Sequence, residues 1–494
     1  MKSGGRLTYG QRHSRRDGKS PLGEHNHRKP KRRTNFICNV IKKDSTPSRN
    51  SPLAASPRVD VPKMNECTSI ETMVQVAFDN FLQADCGQLR DIAAFWARSP
   101  KIIDDKDHVG VVNDKQQTLM QLKALRNYTV KHIELFEPAD FSKSFLALAK
   151  IFSSLTSKQN DVGVRDDIDL FRCLLLDVMN GEQPNENPFQ FFVYASMPLL
   201  PQLLTRDLAC ISYALSLLSW HSSLKDADVL LDAVSSEVVS RVNQFDSRSL
   251  SRILFDVAKS GQSQPLLFSV VGSYLCDMDA FVEAAPGEMS MILYAYATAN
   301  ESNPTIFQKI AAAVVDQYSS STRLAWYKCS DLSTILWSYA RAGEQPPDQF
   351  QKKMHNALLA KLFRMHEVFS LEDLSDVIWA LSKYSSNQSS LLTKIAKRIN
   401  LDAQSLDYTA TSITQLLWTC CESNVHIDEL FFQDSAFMTA CFEKREEYKD
   451  DELRKLYEFH LWQQELNCDG LPPALHDKCF EAHLLPINLL SGYE

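Results

Sequence analysis

Lys259, Arg341 and Lys383 stand at one place, ninth after the first residue, in three copies of a twelve-residue phrase that recurs in this 494-residue chain. A cation repeated at one place in successive helices can hold successive phosphates, because it donates to their oxygens and releases the counterions that screened them. Arg252 stands second after the start of its copy. Thr334 and Ser338 fill the second and sixth places of another, and Thr298 the ninth of a third. These places vary between copies: Arg252, Asp256, Lys259; Met291, Ala295, Thr298; Thr334, Ser338, Arg341; Asp376, Ala380, Lys383; Gln415, Thr419, Glu422. A varied stripe on a uniform scaffold is what one-unit-per-base recognition requires. A solvated helix face varies in the same way, so both readings stand.

The fifth place is always aromatic: Phe255, Tyr294, Trp337, Trp379 and Trp418. Such rings can stack on nucleobases. They can also fill the seam between neighbouring helices, and an aromatic beside an apolar face more often does the latter. Enzyme motifs are missing: there is no Gly-rich phosphate loop, no H-E-x-x-H and no G-x-S-x-G, since Gly261-Gln262-Ser263-Gln264-Pro265 lacks the last glycine. The acids Asp450-Asp451-Glu452 suit the positive end of a helix starting there better than a metal. His460, His476 and His483 can meet in space, but their spacing matches no ligand motif. No catalytic residue, cofactor, metal or small-molecule substrate is expected.

The elements that must position these residues follow from the phrase itself. It reads LSRILFDVAKSG from Leu250, MSMILYAYATAN from Met289, LSTILWSYARAG from Leu332, LSDVIWALSKYS from Leu374 and ITQLLWTCCESN from Ile413, with steps of 39, 43, 42 and 39 residues. Places 0, 3, 4, 7 and 8 are mostly apolar, which is the 3.6-residue period of a helix with one buried face. Place 1 is always a small hydroxyl: Ser251, Ser290, Ser333, Ser375, Thr414. Places 1, 5 and 8 share a flank read as the seam with the next helix; places 2, 6 and 9 lie opposite and are expected to be exposed. Each phrase is followed by a second helix, opened at or near Pro265, Pro304 and Pro346-Pro347, where a missing N–H costs nothing. Weaker copies start at Leu453 and Leu208 and near Phe141 and Leu89.

Self-similarity at this period predicts an all-α fold, an α-solenoid of helical hairpin repeats of about 40 residues, because one unit cannot bury its apolar face without neighbours. Residues 1–63 hold 16 Lys/Arg against 4 Asp/Glu and the remainder 37 against 57. The expected organisation is a disordered basic transit or arm segment over 1–65, degenerate N-terminal helical repeats over 66–200 and a C-terminal helical-repeat solenoid over 201–494. The Pro-rich stretch Asn180–Pro201 marks the boundary between the two halves. The arm has the composition of an organellar transit peptide, mitochondrial or plastid. Its cluster Lys29-Pro30-Lys31-Arg32-Arg33 also fits a nuclear localisation patch or a phosphate-binding arm. The twelve cysteines form no C-x-x-C pair, and several, such as Cys210, Cys276 and Cys420, sit in apolar stretches; a disulfide framework is not expected. No apolar run reaches the roughly 18 residues of a membrane span.

The first-helix pattern L-x-x-[IL]-[IL]-[WFY]-x-[YL]-[AS]-[KR], closest in Leu332–Gly343 and Leu374–Ser385, resembles the organellar helical-repeat superfamily over roughly residues 205–480. This superfamily comprises octotricopeptide and heptatricopeptide repeat proteins and the repeat region of FAST-kinase-like proteins. The resemblance implies a protein of the mitochondrial matrix or a plastid that binds RNA. Its partners would be mitochondrial mRNA or rRNA and ribonucleoprotein subunits, in RNA processing, stability or translation or in the mitochondrial ribosome. It places the RNA contact on Arg252, Lys259, Arg341 and Lys383, beside which Thr298, Thr334 and Ser338 complete the candidate set. Leu453–Leu485 resembles the stretch that precedes a RAP domain in that family. The sequence ends at Glu494 without a recognisable RAP domain, so no nuclease activity is carried over. The net negative charge of residues 64–494 asks either for a local basic groove or for a protein–protein scaffold of the armadillo/HEAT kind without direct RNA contact.

Overall fold

The computed structural model describes residues 64, 67–83, 89–105, 110–157, 165–179, 187–218, 224, 226–262, 264–301, 303–317, 327–363, 369–384, 389–403, 408–432 and 434–484. The basic segment 1–63 with its Lys/Arg cluster, and residues 180–186 of the Pro-rich stretch, lie outside them. Two units are distinguished, Met1–Asp60 and Val61–Glu494, and the elements below all belong to the second.

Among the described residues the regular structure is helical, without strands. The helices are α1 (Ile70–Gln83), α2 (Leu89–Ile103), α3 (Lys115–Lys131), α4 (Pro138–Ser157), α5 (Asp166–Met179), α6 (Pro188–Leu199), α7 (Thr205–Leu218), α8 (Ala227–Ser240), α9 (Ser247–Lys259), α10 (Pro265–Asp277), α11 (Pro286–Ala299), α12 (Pro304–Gln317), α13 (Cys329–Ala342), α14 (Asp348–Leu362), α15 (Leu371–Lys383), α16 (Ser389–Ala403), α17 (Ala410–Ser423), α18 (Asp428–Phe431), α19 (Ala436–Glu443), α20 (Asp450–Glu465) and α21 (Pro473–Leu484). They pack in tandem in two layers. The first runs α2, α4, α7, α9, α11, α13, α15, α17, α20, α21, each helix lying against the next. The second runs α1, α3, then α5 and α6, then α8, α10, α12, α14, α16, with α18 and α19 both on α16.

The phrase explains why each first-layer helix starts, faces inward and stops where it does. Leu250, Ile253, Leu254, Val257 and Ala258 of α9 are all buried, as the 3.6-residue period predicts. Asp246 caps α9 by accepting from the Ser249 N–H, and Ser370 and Asp373 form a capping box on α15. Four of the five copies end in Gly or Asn because their last residue turns left-handed. Gly261, Asn300, Gly343 and Asn424 have φ of 74°, 55°, 71° and 53°, the conformation that terminates a helix and that these two residue types adopt most cheaply. Pro265 and Pro304 open α10 and α12 as expected.

One rung repeats between first-layer helices. An acid just before the start of the phrase accepts from a hydroxyl on the preceding helix: Ser142 to Asp207 at 3.0 Å, Ser247 to Glu288 at 2.9 Å, Ser333 to Asp373 at 2.7 Å and Thr411 to Glu452 at 2.6 Å. Asp373 and Glu452 also accept the N–H that opens their own helix, so one carboxylate satisfies two kinds of donor. The layers are tied by Tyr296, whose hydroxyl on α11 donates to the Phe268 carbonyl of α10 at 2.6 Å. Gly272 leaves the room, since a Cβ there would collide with that hydroxyl.

One detail differs from expectation. The second helix read through Leu430-Phe431 is two short pieces, α18 and α19, and Ser435 between them opens α19 as its cap. On either side of the Pro-rich stretch, α4 packs directly on α7 while α6 lies in the second layer.

Candidate nucleic-acid interface

The candidate residues all lie on first-layer helices, yet they are not equally exposed. Lys259, Arg341 and Lys383 at place nine are exposed, Thr298 is half-buried, and so are Arg252 and Thr334 at place two. Ser338 is buried, its hydroxyl donating to the Thr334 carbonyl at 2.7 Å. The sixth place departs from expectation in four of its five copies, since Asp256, Ala295 and Ala380 are buried too and only Thr419 is half-buried. The cause is crowding: a first-layer helix meets the helix before it, the helix after it and the second layer. Its buried arc therefore extends past the apolar face read from periodicity. The outward stripe narrows to places two and nine, bordered by the half-buried aromatics of place five.

Arg252 is not a free cation. Its Nε and Nη2 grip Asp256 at 2.9 and 2.5 Å, and the guanidinium lies 3.3 Å from the centre of the Tyr213 ring on α7. Asp256 also accepts from Ser216 of α7 at 2.9 Å. Burial pushes the Asp256 carboxyl up to about 6, against the downward pull of Arg252. This network joins α7 to α9 before it offers anything to a ligand. Lys383, by contrast, reaches over its own Trp379 ring at 5.4 Å.

The half-buried aromatics at place five form a ladder across successive helices. Phe255 lies 4.8 Å from Tyr294, Tyr294 5.4 Å from Trp337 and Trp337 6.2 Å from Trp379, between ring centres. Tyr294 and Trp337 are stacked with 25° between their planes. Ring faces turned toward one another fill a seam between helices and leave edges outward, which matches the seam reading of the sequence.

The sequence reading missed the basic part of this face, which lies toward the N-terminal end of the first layer. A groove of about 760 Å³ is lined by Leu146 of α4, Arg206, Cys210 and Tyr213 of α7, Arg248 and Arg252 of α9 and Met291 of α11. Lys150 sits 5.3 Å above the Tyr213 ring. A second groove, of about 310 Å³ between α2 and α4, is lined by Arg90, Lys101 and Lys143 with Asp140. Places two and nine counted from Phe141 are Lys143 and Lys150, and two before Leu208 and Leu250 stand Arg206 and Arg248. Extending the phrase register upstream would have found them. The stripe loses this character toward α15 and α17, where it carries Asp376, Gln415 and Glu422.

Elsewhere, His460 of α20 and His476 of α21 pack with ring centres 4.6 Å apart, and His460 Nδ1 accepts the Leu471 N–H at 3.0 Å. Burial, with His476 beside it, lowers the pKa of His460. Among the described residues no three His, Cys, Asp or Glu are grouped to hold a metal ion, and no helix is long and apolar enough to cross a membrane. Neither a protein-family model nor a curated protein sequence matches this chain.

Proposed function

We propose that this chain is a non-enzymatic α-solenoid of helical hairpins about 40 residues long that binds RNA, or a ribonucleoprotein such as the mitochondrial ribosome, in the mitochondrial matrix. The period is supported by hydrogen bonds between equivalent helices at sequence separations of 40 and 41 residues, as in Ser333 to Asp373 and Thr411 to Glu452. Import rests on the basic composition of residues 1–63, and a plastid is the alternative destination.

One observation carries the RNA reading: a chain with net charge −8 gathers Arg90, Lys101, Lys150, Arg206 and Arg248 on the outward face of consecutive first-layer helices. Phosphate binding calls for cations concentrated on one face against the mean charge. The protein-scaffold reading draws on the acidic end of the same face, at Asp376 and Glu422, where a polyanion is repelled. Ultraviolet crosslinking in cells, followed by sequencing of the bound RNA, tests the choice. The expected outcome is enrichment of organellar transcripts or rRNA. Recovery no greater than from a mock purification, together with co-purifying protein partners, would replace RNA binding by the scaffold.

A further inference from the structure

We infer that the groove between α4, α7 and α9 anchors the phosphodiester backbone of an RNA strand without regard to base identity; this deepens the RNA reading above and rests on it. Arg206 and Arg248 occupy the same place in consecutive first-layer helices, two residues before the phrase, and line one cavity. Both side chains are exposed. Arg252, four residues after Arg248 on α9, is immobilised at the groove wall by Asp256 and Tyr213. Lys150 adds a fourth cation above Tyr213.

The acids nearby offset part of this charge: Asp256 is buried and neutralises Arg252, and Asp246, the cap of α9, lines the same cavity beside Arg248. Arg206, Arg248 and Lys150 outnumber Asp246, and an excess of cations around a cavity of this size suits a phosphodiester anion. The remaining wall is Leu146, Ala209, Cys210, Tyr213 and Met291, with the buried Ser249 and its helix-capping partner Asp246. It has none of the Asn or Gln side chains that read base edges in two-point fashion. Direction along the array follows from the same place in later helices, where Glu372 and Asp451 replace Arg206 and Arg248. A strand is therefore held at the α4 to α9 end and repelled toward α15 and α20.

The test uses the full chain and labelled uridine and adenosine oligoribonucleotides of about 20 nucleotides, a length that spans several single-strand sites. Binding is followed by fluorescence anisotropy over a potassium chloride series, with a melting curve for every variant. Arg206→Ala with Arg248→Ala should weaken both oligonucleotides alike, about tenfold or more, and lower the salt slope by about 1.4, the value for two single-strand phosphates. Arg206→Lys with Arg248→Lys should bind nearly as the parent, which keeps the test open if the alanine pair fails to fold. Arg341→Gln with Lys383→Gln is the comparator and should lose much less.

An unchanged affinity in the folded alanine pair, with a large loss in the comparator, overturns the groove and leaves the RNA reading intact. Unequal loss on the two oligonucleotides overturns base-independence. Equal competition by polyglutamate assigns the groove to an acidic peptide instead. A parent protein that binds neither oligonucleotide removes both the inference and the reading it rests on.

Discussion

Arg252 and Asp256, one helical turn apart on α9, form a two-point ion pair that is built into the joint with α7: the carboxylate is fully buried and the guanidinium lies on the Tyr213 ring. A cation at an outward place in the sequence thus has a structural duty, holding α9 to α7.

Arg252→Gln should therefore destabilise the protein in a pH-dependent way. Burial has raised the Asp256 pKa to about 6 even with Arg252 present, and removing the cation raises it further. Below that raised value the acid enters the joint neutral; above it an unpaired buried charge costs about 3–5 kcal/mol. Urea titrations at pH 5 and pH 8 should show the larger loss at pH 8, and adding Asp256→Asn should restore most of it. An equal loss at both pH values would mean that the pair is solvated and plays no such part.

Stacking between Tyr294 and Trp337, 5.4 Å apart, gives the aromatic ladder its energetic content. Trp337 is half-buried, so Trp337→Ala should cost about 2–3 kcal/mol, below the 3–5 of a fully buried ring. A double-mutant cycle with Tyr294→Ala should return a coupling of about 0.5–1.5 kcal/mol. Additive losses would separate the two rings energetically. If the variant instead melts like the parent and loses RNA, the rings serve as stacking platforms.

Periodicity made the first-layer helices legible because places 0, 3, 4, 7 and 8 answer one local demand, burial; the Gly or Asn that closes four of the five copies answers another, the left-handed turn seen in the structure. What it did not carry was the neighbourhood of each helix. Place six was read as outward from a single helix in isolation. In the array Ser338 and Asp256 are covered by adjoining helices, information that a one-helix period does not contain. The groove at Arg206 and Arg248 was hidden for a different reason. The phrase degrades upstream of Leu250, and both arginines lie two residues before their copies, outside the repeated pattern.

Asp373 links two helices at once, accepting from Ser333 on α13 at 2.7 Å and capping the start of α15. Asp373→Ala should cost about 1–3 kcal/mol, since it strips a cap and leaves a buried hydroxyl short of one partner. Ser333→Ala should cost less, because only the hydroxyl is lost and the cap stays. In Asp373→Ala, adding Ser333→Ala should then change little, since the bond they shared is already gone. Chemical denaturation of the two single variants and the double variant reads this directly. A double variant as unstable as the sum of the singles would show that the interhelix bond contributes nothing.

Asp376, at the second place of the phrase carried by α15, sits near Asp373 and Glu372, and burial followed by those two charges raises its pKa to about 6. The sign follows from which state holds the proton. A carboxyl near 4 when unfolded and near 6 when folded binds more protons in the folded chain between those values, so its contribution to stability falls as pH rises through that window. Above pH 6 the folded protein carries a destabilising charge at this place. Asp376→Asn removes that charge, so the variant should be more stable than the parent at pH 7.5 by roughly 1–2 kcal/mol, a figure reduced from the full linkage value for residual solvent screening. At pH 4.5 the two proteins should differ little. Melting curves of parent and variant at both pH values decide it: a variant less stable at pH 7.5 would show that the Asp376 carboxylate has a stabilising partner in solution.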